Sequence, residues 1–411
     1  MKLSFITIVF GFCFISLFVV LNEMIQSAFL YIKLKIEDDI HYFGDKIEKL
    51  IDNKSEFINS QIKALNTKFN RLGYEAVIWI GLTMYFYLFS NKKSRSYIIN
   101  ICKAKMNILK TKSLNCKRVE INFLVIFVIL CVCTAYGNAI VKLFGSQFNN
   151  IVFEILFYLC LFGAILPFFL ILICNLFKIF GSKLIIAYYI TFYIKATAEF
   201  FTQDDINLDE FERVNIKNYS RTIRDYLKER SLENKIFQEK HKSDSINAAL
   251  VGWGKYEHIE IYGKHNHFTD DEFEAILMHE LGHSQDYSLH KKIIALYIIK
   301  GIEFCLIMWL WNSVTDKYVD SNISKIPTFL FLLIVYEMYL NRYLMIIHKL
   351  TSQKAEINAD LIAKRHGFGV NLAKVLFKIT IQSNEPIQYT ILYNSLKSFH
   401  PTILQRIEYL L

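Results

Sequence analysis

The clearest chemistry in this 411-residue chain sits in one short run, Met278-His279-Glu280-Leu281-Gly282-His283. Two histidines four apart share one face of a helix, so the imidazoles of His279 and His283 can bind a single Zn²⁺. Glu280 projects beside them, where it can hold the attacking water, accept its proton and pass it to a leaving amine. With eleven histidines in the chain, the pattern arises by chance at about the per cent level. A helix with two surface histidines has the same spacing, so context must separate the two.

A catalytic zinc needs a third protein ligand and an open fourth position. Downstream, Glu356-Ile357-Asn358-Ala359-Asp360 sets two acids four apart on one face of an expected helix. Glu356 can ligate the metal, and Asp360 can accept a hydrogen bond from a ligand histidine and fix its tautomer. The same pair also fits a solvated acidic face. Near the end of the sequence, His400-Pro401-Thr402 and Arg406 offer an imidazole and a guanidinium that can stabilise the oxyanion of a tetrahedral intermediate. A turn and a surface arginine would look alike. Upstream, Asn247-Ala248-Ala249, then Gly252-Trp253-Gly254, then the alternating His258-Ile259-Glu260-Ile261-Tyr262 predict a short strand pair. Its edge can receive an extended peptide through backbone hydrogen bonds. His41, His265, His267, His290, His348 and His366 read as surface or loop residues.

These groups need positioning elements. Thr269, followed by Asp270, Asp271 and Glu272, predicts the start of the helix that carries the histidines. The wider composition is that of a membrane protein: 53% hydrophobic, 21% charged, mean hydropathy +0.27 and only four prolines, against ~25% charged and ~5% proline in soluble domains. Collagen-like, disordered and disulfide-scaffold classes are excluded. None of the eight cysteines has zinc-knuckle or redox spacing, and six of them lie in apolar runs. The formal charge of +9 accompanies basic residues that flank apolar stretches. With no recognition motif, a nucleic-acid partner is not expected.

Leu3 to Leu21, Ala76 to Ser90, Ile121 to Val141 and Ile155 to Phe177 are expected bilayer spans. Leu184 to Ile194, Ile293 to Thr315 and Ile326 to Leu340 bring the count to seven. Lys300, Glu303 and Glu337 within these last spans suit a watery cavity. The loop from Lys92 to Arg118 carries nine Lys or Arg and no acid. The basic residues of 22–71 with Lys291, Lys292, Arg342 and Lys349 balance it, so charge assigns no orientation.

The expected fold is an all-α polytopic membrane protein with a zincin-like catalytic region containing a short β-hairpin. Residues 1–195 hold spans one to five and a polar helical loop at 22–73. Residues 196–292 form the extramembrane catalytic region, 293–345 hold spans six and seven, and 346–411 supply the third zinc ligand.

Taken in order, Asn247-Ala248, His279-Glu280-Leu281-Gly282-His283, Glu356 through Asp360, and His400-Pro401 with Arg406 resemble the type I CAAX prenyl proteases. Those are multi-pass zinc metallopeptidases of the endoplasmic reticulum and inner nuclear membrane. The resemblance implies one zinc per chain, bound by His279, His283 and Glu356, with Glu280 as the catalytic acid and base. It implies that Asp360 supports His279, that His400 and Arg406 stabilise the transition state, and that Asn247 and Ala248 line the substrate strand. About seven helices would enclose a water-filled chamber, with Glu303, Lys300 and Glu337 facing water. The implied reaction removes the last three residues of prenylated, farnesylated CaaX proteins at the lipid bilayer. The family usually has Trp directly after the second zinc histidine and another His five positions on; here these are Ser284 and Ser288. A membrane quality-control metallopeptidase that cuts misfolded or translocon-blocking proteins is the competing enzymatic reading. A channel or scaffold with a structural zinc is the non-enzymatic one, and Glu280 argues against it.

Overall fold

The computed structural model describes residues 2–37, 39–51, 53–90, 166–201, 208–216, 219–240, 247–252, 254–263, 268–317 and 325–411. Helix α1 (Lys2–Lys35) leads through a 3₁₀ turn (His41–Phe43) and the short α2 (Asp45–Glu48) to α3 (Lys54–Ser90). Helices α4 (Leu166–Phe180) and α5 (Lys183–Phe201) come next. They are followed by β1 (Phe211–Arg213), α6 (Arg221–Glu229), β2 (Ile236–Glu239), β3 (Asn247–Val251) and β4 (His258–Tyr262). The rest is helical: α7 (Asp270–Gln285), α8 (Ser288–Lys317), α9 (Lys325–Val335), a π-helical turn (Tyr336–Leu340) and α10 (Asn341–Leu344). Helices α11 (Ile346–Arg365), α12 (Gly369–Ser383), α13 (Ile391–Lys397) and α14 (Ile403–Leu410) complete it.

Among the described residues, two stretches are long and apolar enough to cross a membrane, Phe10–Lys35 and Ser288–Thr315. A third is reached only if α4 and α5 count as one span, and they meet at 101°. The bend falls at Gly181, whose φ of +57° is a left-handed conformation that glycine adopts without steric cost. Among the described residues, seven spans are therefore not confirmed. Ile121 to Val141 and the first residues of Ile155 to Phe177 lie outside the described residues. Ala76 to Ser90 is the apolar end of the 37-residue α3, whose first half is polar. Ile326 to Leu340 runs through α9, of 11 residues, and the π-helical turn that continues it.

The described residues form two compact units, drawn from Met1–Ile25, Phe69–Ile190 and Lys300–Leu344, and from Gln26–Lys68, Thr191–Ile299 and Met345–Leu411. In the first, Phe177, Trp311 and Phe329 form an aromatic cluster with ring centroids 5.0–5.4 Å apart. The Arg342 guanidinium lies 4.1 Å over the Trp79 ring. Glu303, expected to face water, is instead 0% exposed. Lys300 donates to both of its oxygens at 2.9 Å, Tyr189 donates at 2.7 Å and Tyr336 at 3.2 Å. A buried carboxylate persists when a counter-charge and further donors replace water, and these four contacts do so. Glu337 is exposed and accepts from Asn341.

In the second unit the strands form one sheet in the order β1-β2-β4-β3. Strands β1/β2 and β3/β4 pair antiparallel, and β2/β4 pair parallel. The alternation read in the sequence is that of β4, where Ile259 and Ile261 point inward and are fully buried. The three- and four-residue strands β1 and β2 were not expected from the sequence, being too short to show a period. The polar stretch after α1 is a helical hairpin whose buried polar groups serve the C-terminal region. Gln61 donates to the Glu385 carbonyl and accepts from Ile387 N–H. Lys68 donates to the Gln388 carbonyl and stands 4.1 Å over the Tyr389 ring, while Phe57 stacks on Phe377.

Candidate metal centre

All the residues of the centre lie in the second unit. Helix α7 begins with a reciprocal cap: Thr269 Oγ1 accepts from Glu272 N–H at 3.3 Å, and Glu272 Oε2 accepts from Thr269 N–H at 3.0 Å. Lys378 of α12 donates to both Glu272 oxygens at 2.7 and 2.8 Å. Burial would raise the Glu272 carboxyl, but these donors outweigh it and hold it below its ordinary value. Ala275, Leu277, Met278 and Leu281 are fully buried. They fix the rotation of α7, and so the direction of His279 and His283. Gly282 sits where α11 crosses. A Cβ there would stand 2.9 Å from Ala359 Cα, so only glycine allows the approach that brings Glu356 to the histidines.

The histidine rings lie 4.8 Å apart at 81°. His279 Nε2 is 3.4 Å from Glu356 Oε2, and His283 Nε2 is 3.4 Å from Glu356 Oε1. The three side chains present one donor atom each, all within 4.8 Å of one another. Tetrahedral zinc with 2.0–2.1 Å bonds sets its donors roughly 3.4 Å apart. The arrangement therefore fits zinc in donor type and spacing.

Around these three, the structure brings together most of the other expected residues. Asp360 Oδ1 accepts from His279 Nδ1 at 2.9 Å. Arg406 grips Asp360 with two donors, Nε to Oδ2 and Nη2 to Oδ1, both at 2.8 Å. This bidentate pair is buried and fixes the carboxylate plane. Arg406 also sets Nη1 3.7 Å from Glu356 Oε2, whereas His400 is 63% exposed with Nδ1 3.4 Å from the same oxygen. Glu280 is buried, and its Oε2 accepts from Leu250 N–H of β3 at 2.9 Å. Strand β3 is the sheet edge beyond β4, and Leu250 N–H points away from β4 toward Glu280. By antiparallel alternation the Ala248 backbone groups point the same way. Asn247, paired with Tyr262, opens the strand.

Charge is distributed unevenly. Burial works against a cation at His279, but the hydrogen bonds to Asp360 and Glu356 prevail and push it up to about 9. Burial, with His279 as a neighbouring cation, pulls His283 down to about 3, so it is neutral with a free lone pair. Burial also raises the Glu280 carboxyl toward the range of a general base, opposed by His279 and by Leu250 N–H. Glu356 is held well below the carboxylate range, because His279 and His400 outweigh its burial.

Four neighbours were given no role at the centre from the sequence. Lys292 of α8, 27% exposed, places Nζ 3.8 Å from Glu356 Oε1. Ser284 Oγ donates to Glu257 at 3.0 Å. Asn358 donates to Asp286 at 3.0 Å, and Ser288 Oγ lies 3.3 Å from His283 Nδ1. Residues 284 and 288 are the two departures from the family pattern, which was the only sequence signal for any of these contacts.

Residues 219–411 match the family model described as Peptidase family M48. The chain is 26% identical over 158 residues to CAAX prenyl protease 1 of Saccharomyces cerevisiae, covering 34% of this chain and 35% of that protein. It is 24% identical over 171 residues to a CAAX prenyl protease 1 homolog of Arabidopsis thaliana, covering 41% and 40%. The match thus spans well under half the length of either relative. The crystal structure of S. mikatae Ste24p shares the fold, with a TM-score of 0.56 at 18% identity over 98% of each chain.

Proposed function

On the premise that motifs, sequence matches and fold together support the CAAX prenyl protease family, we propose that this chain is a zinc metalloendopeptidase. Its proposed substrates are prenylated, farnesylated CaaX proteins, from which it removes the three C-terminal residues. The observation that carries this reading is the convergence of His279 Nε2, His283 Nε2 and the Glu356 carboxylate at zinc spacing, with Glu280 as a buried base beside them. A zinc ion held by these three would polarise the scissile carbonyl and lower the pKa of the attacking water.

The chain's own groups do the rest. An extended substrate pairs with the outward edge of β3 at Asn247 and Ala248. Because Leu250 N–H of the same strand holds Glu280, the base is fixed relative to the peptide that it serves. Glu280 takes the proton of the attacking water and returns it to the leaving amine. His400, the exposed donor at the centre, stabilises the oxyanion. Arg406 acts through Asp360, which holds the His279 ring in place. The proposed location is the endoplasmic reticulum membrane or inner nuclear membrane, with the apolar stretches of α1 and α8 supporting the bilayer part of that assignment.

The test is hydrolysis of matched farnesylated and unprenylated CaaX peptides by the detergent-purified protein. Cleavage of the farnesylated peptide alone is expected. Equal cleavage of both would overturn the prenyl specificity in favour of a quality-control peptidase, and cleavage of neither would overturn the peptidase reading.

A further inference from the structure

The two histidines are braced differently. His279 Nδ1 meets a carboxylate directly, whereas the partner of His283 Nδ1 is the hydroxyl of Ser288, a residue only 2% exposed. On a continuous helix, residues five apart are rotated by roughly 140° and their side chains do not meet. Here α7 ends at Gln285 and α8 starts at Ser288, and between them Tyr287 takes the left-handed φ of +53°. That turn folds the start of α8 back under His283. The backbone is strained there, at a residue type that rarely adopts the conformation.

The hydroxyl does not end the chain of contacts. The turn that carries it is itself fastened through Asp286, the residue that caps α7. Asp286 in turn accepts from Lys291 at 2.7 Å and from Asn358 at 3.0 Å. Asn358 lies on α11 two residues after Glu356, so this bridge ties the helix of the third ligand to the turn after the second. A serine hydroxyl can accept one hydrogen bond while donating another. With His283 Nδ1–H as the donor, Ser288 Oγ is the acceptor of the 3.3 Å contact. This leaves Nε2, the nitrogen facing Glu356, with its lone pair open.

We propose that Ser288, on the turn that Asp286 fastens, is a positioning residue for His283: a hydroxyl that fixes its tautomer and ring orientation. It forms the counterpart of the direct Asp360–Arg406 brace on His279. The inference rests on the reading of this centre as a metal site. It gives the two serine departures distinct parts, with Ser288 serving the ligand and Ser284 serving the loop through Glu257.

The experiment is Zn²⁺ affinity of the full-length, metal-stripped protein, measured by competition with a fluorescent chelator. It compares wild type, Ser288→Ala, Ser288→Thr and Asp286→Asn, and records the melting temperature of each metal-free form. Loss of a partner that orients a metal-bound histidine costs ~10–100-fold in affinity. A neutral hydroxyl belongs at the low end, so Ser288→Ala should bind about 10-fold more weakly. Ser288→Thr, which keeps the hydroxyl, should restore wild-type affinity, and Asp286→Asn should fall between. Metal-free melting temperatures should not follow this order. Ser288→Ala matching wild type, or Ser288→Thr binding as weakly as Ser288→Ala, would overturn the proposal while leaving the metal site intact. A wild type that binds no zinc would overturn the underlying metal reading as well.

Discussion

The first unit buries a carboxylate at Glu303 and the second buries one at Glu356, and the two are built to opposite ends. Around Glu303 the described partners are donors: one ammonium and two phenol hydroxyls close on it. They satisfy the carboxylate with protein groups, so the cluster ties helices together. Around Glu356, two imidazole nitrogens, whose rings are held from behind by Asp360 and Ser288, face its two oxygens at 3.4 Å, with His400 and Lys292 nearby. Buried charge alone therefore does not mark a reactive site. What marks it is a set of metal-ligating groups that the protein has aimed at one point.

That contrast can be broken or sharpened by substitution. Glu280→Gln should leave zinc content intact while lowering kcat/KM on the proposed peptide by ~10³-fold or more, since general-base catalysis contributes up to ~10⁴. Assay and elemental analysis of one preparation check both halves. Glu356→Ala should cost the metal itself, with zinc per chain falling well below one. Glu303→Gln should do the reverse: zinc retained, but stability lowered by about 3–5 kcal/mol, the usual cost of stripping one partner from a buried ion pair. Thermal unfolding in detergent reads it, and loss of zinc in this variant would erase the distinction between the clusters. Gly282→Ala should press α7 off Ala359 and cost about 1–3 kcal/mol, together with some zinc affinity.

The smallest effect concerns acid. The Glu272 carboxyl is lowered when folded, against burial, chiefly by Lys378. Its contribution to stability is therefore full above its ordinary value of 4.5 and lost as pH falls through the lower folded value. Glu272→Gln should flatten that acid limb of the melting temperature and leave the neutral region nearly unchanged.

The site was more legible in sequence than the fold around it. His279, Glu280 and His283 lie within one turn and a half of a single helix, so spacing alone sets their geometry. Thr269 and Glu272 announced the start of that helix. Glu356 and Asp360 share a helical face, but their approach to the histidines depends on Gly282 meeting Ala359, a contact between residues 77 positions apart that no local period encodes. Ser288 was visible only as a departure, because its part depends on a left-handed Tyr287. Spans were harder. Apolar length cannot register the bend at Gly181 or the π-helical turn at Tyr336–Leu340. Nor could a charged residue in an apolar run reveal that Glu303 has its own donors rather than water. For Arg406, sequence suggested a contact with the transition state; two of its donors hold Asp360, while Nη1 stands 3.7 Å from Glu356 Oε2 at the centre.

The most direct test is cleavage of a farnesylated CaaX peptide by the purified protein after chelation and stepwise return of Zn²⁺. The account predicts that activity disappears with the chelator and returns in full at one zinc per chain. Activity that survives complete removal of the metal would contradict it.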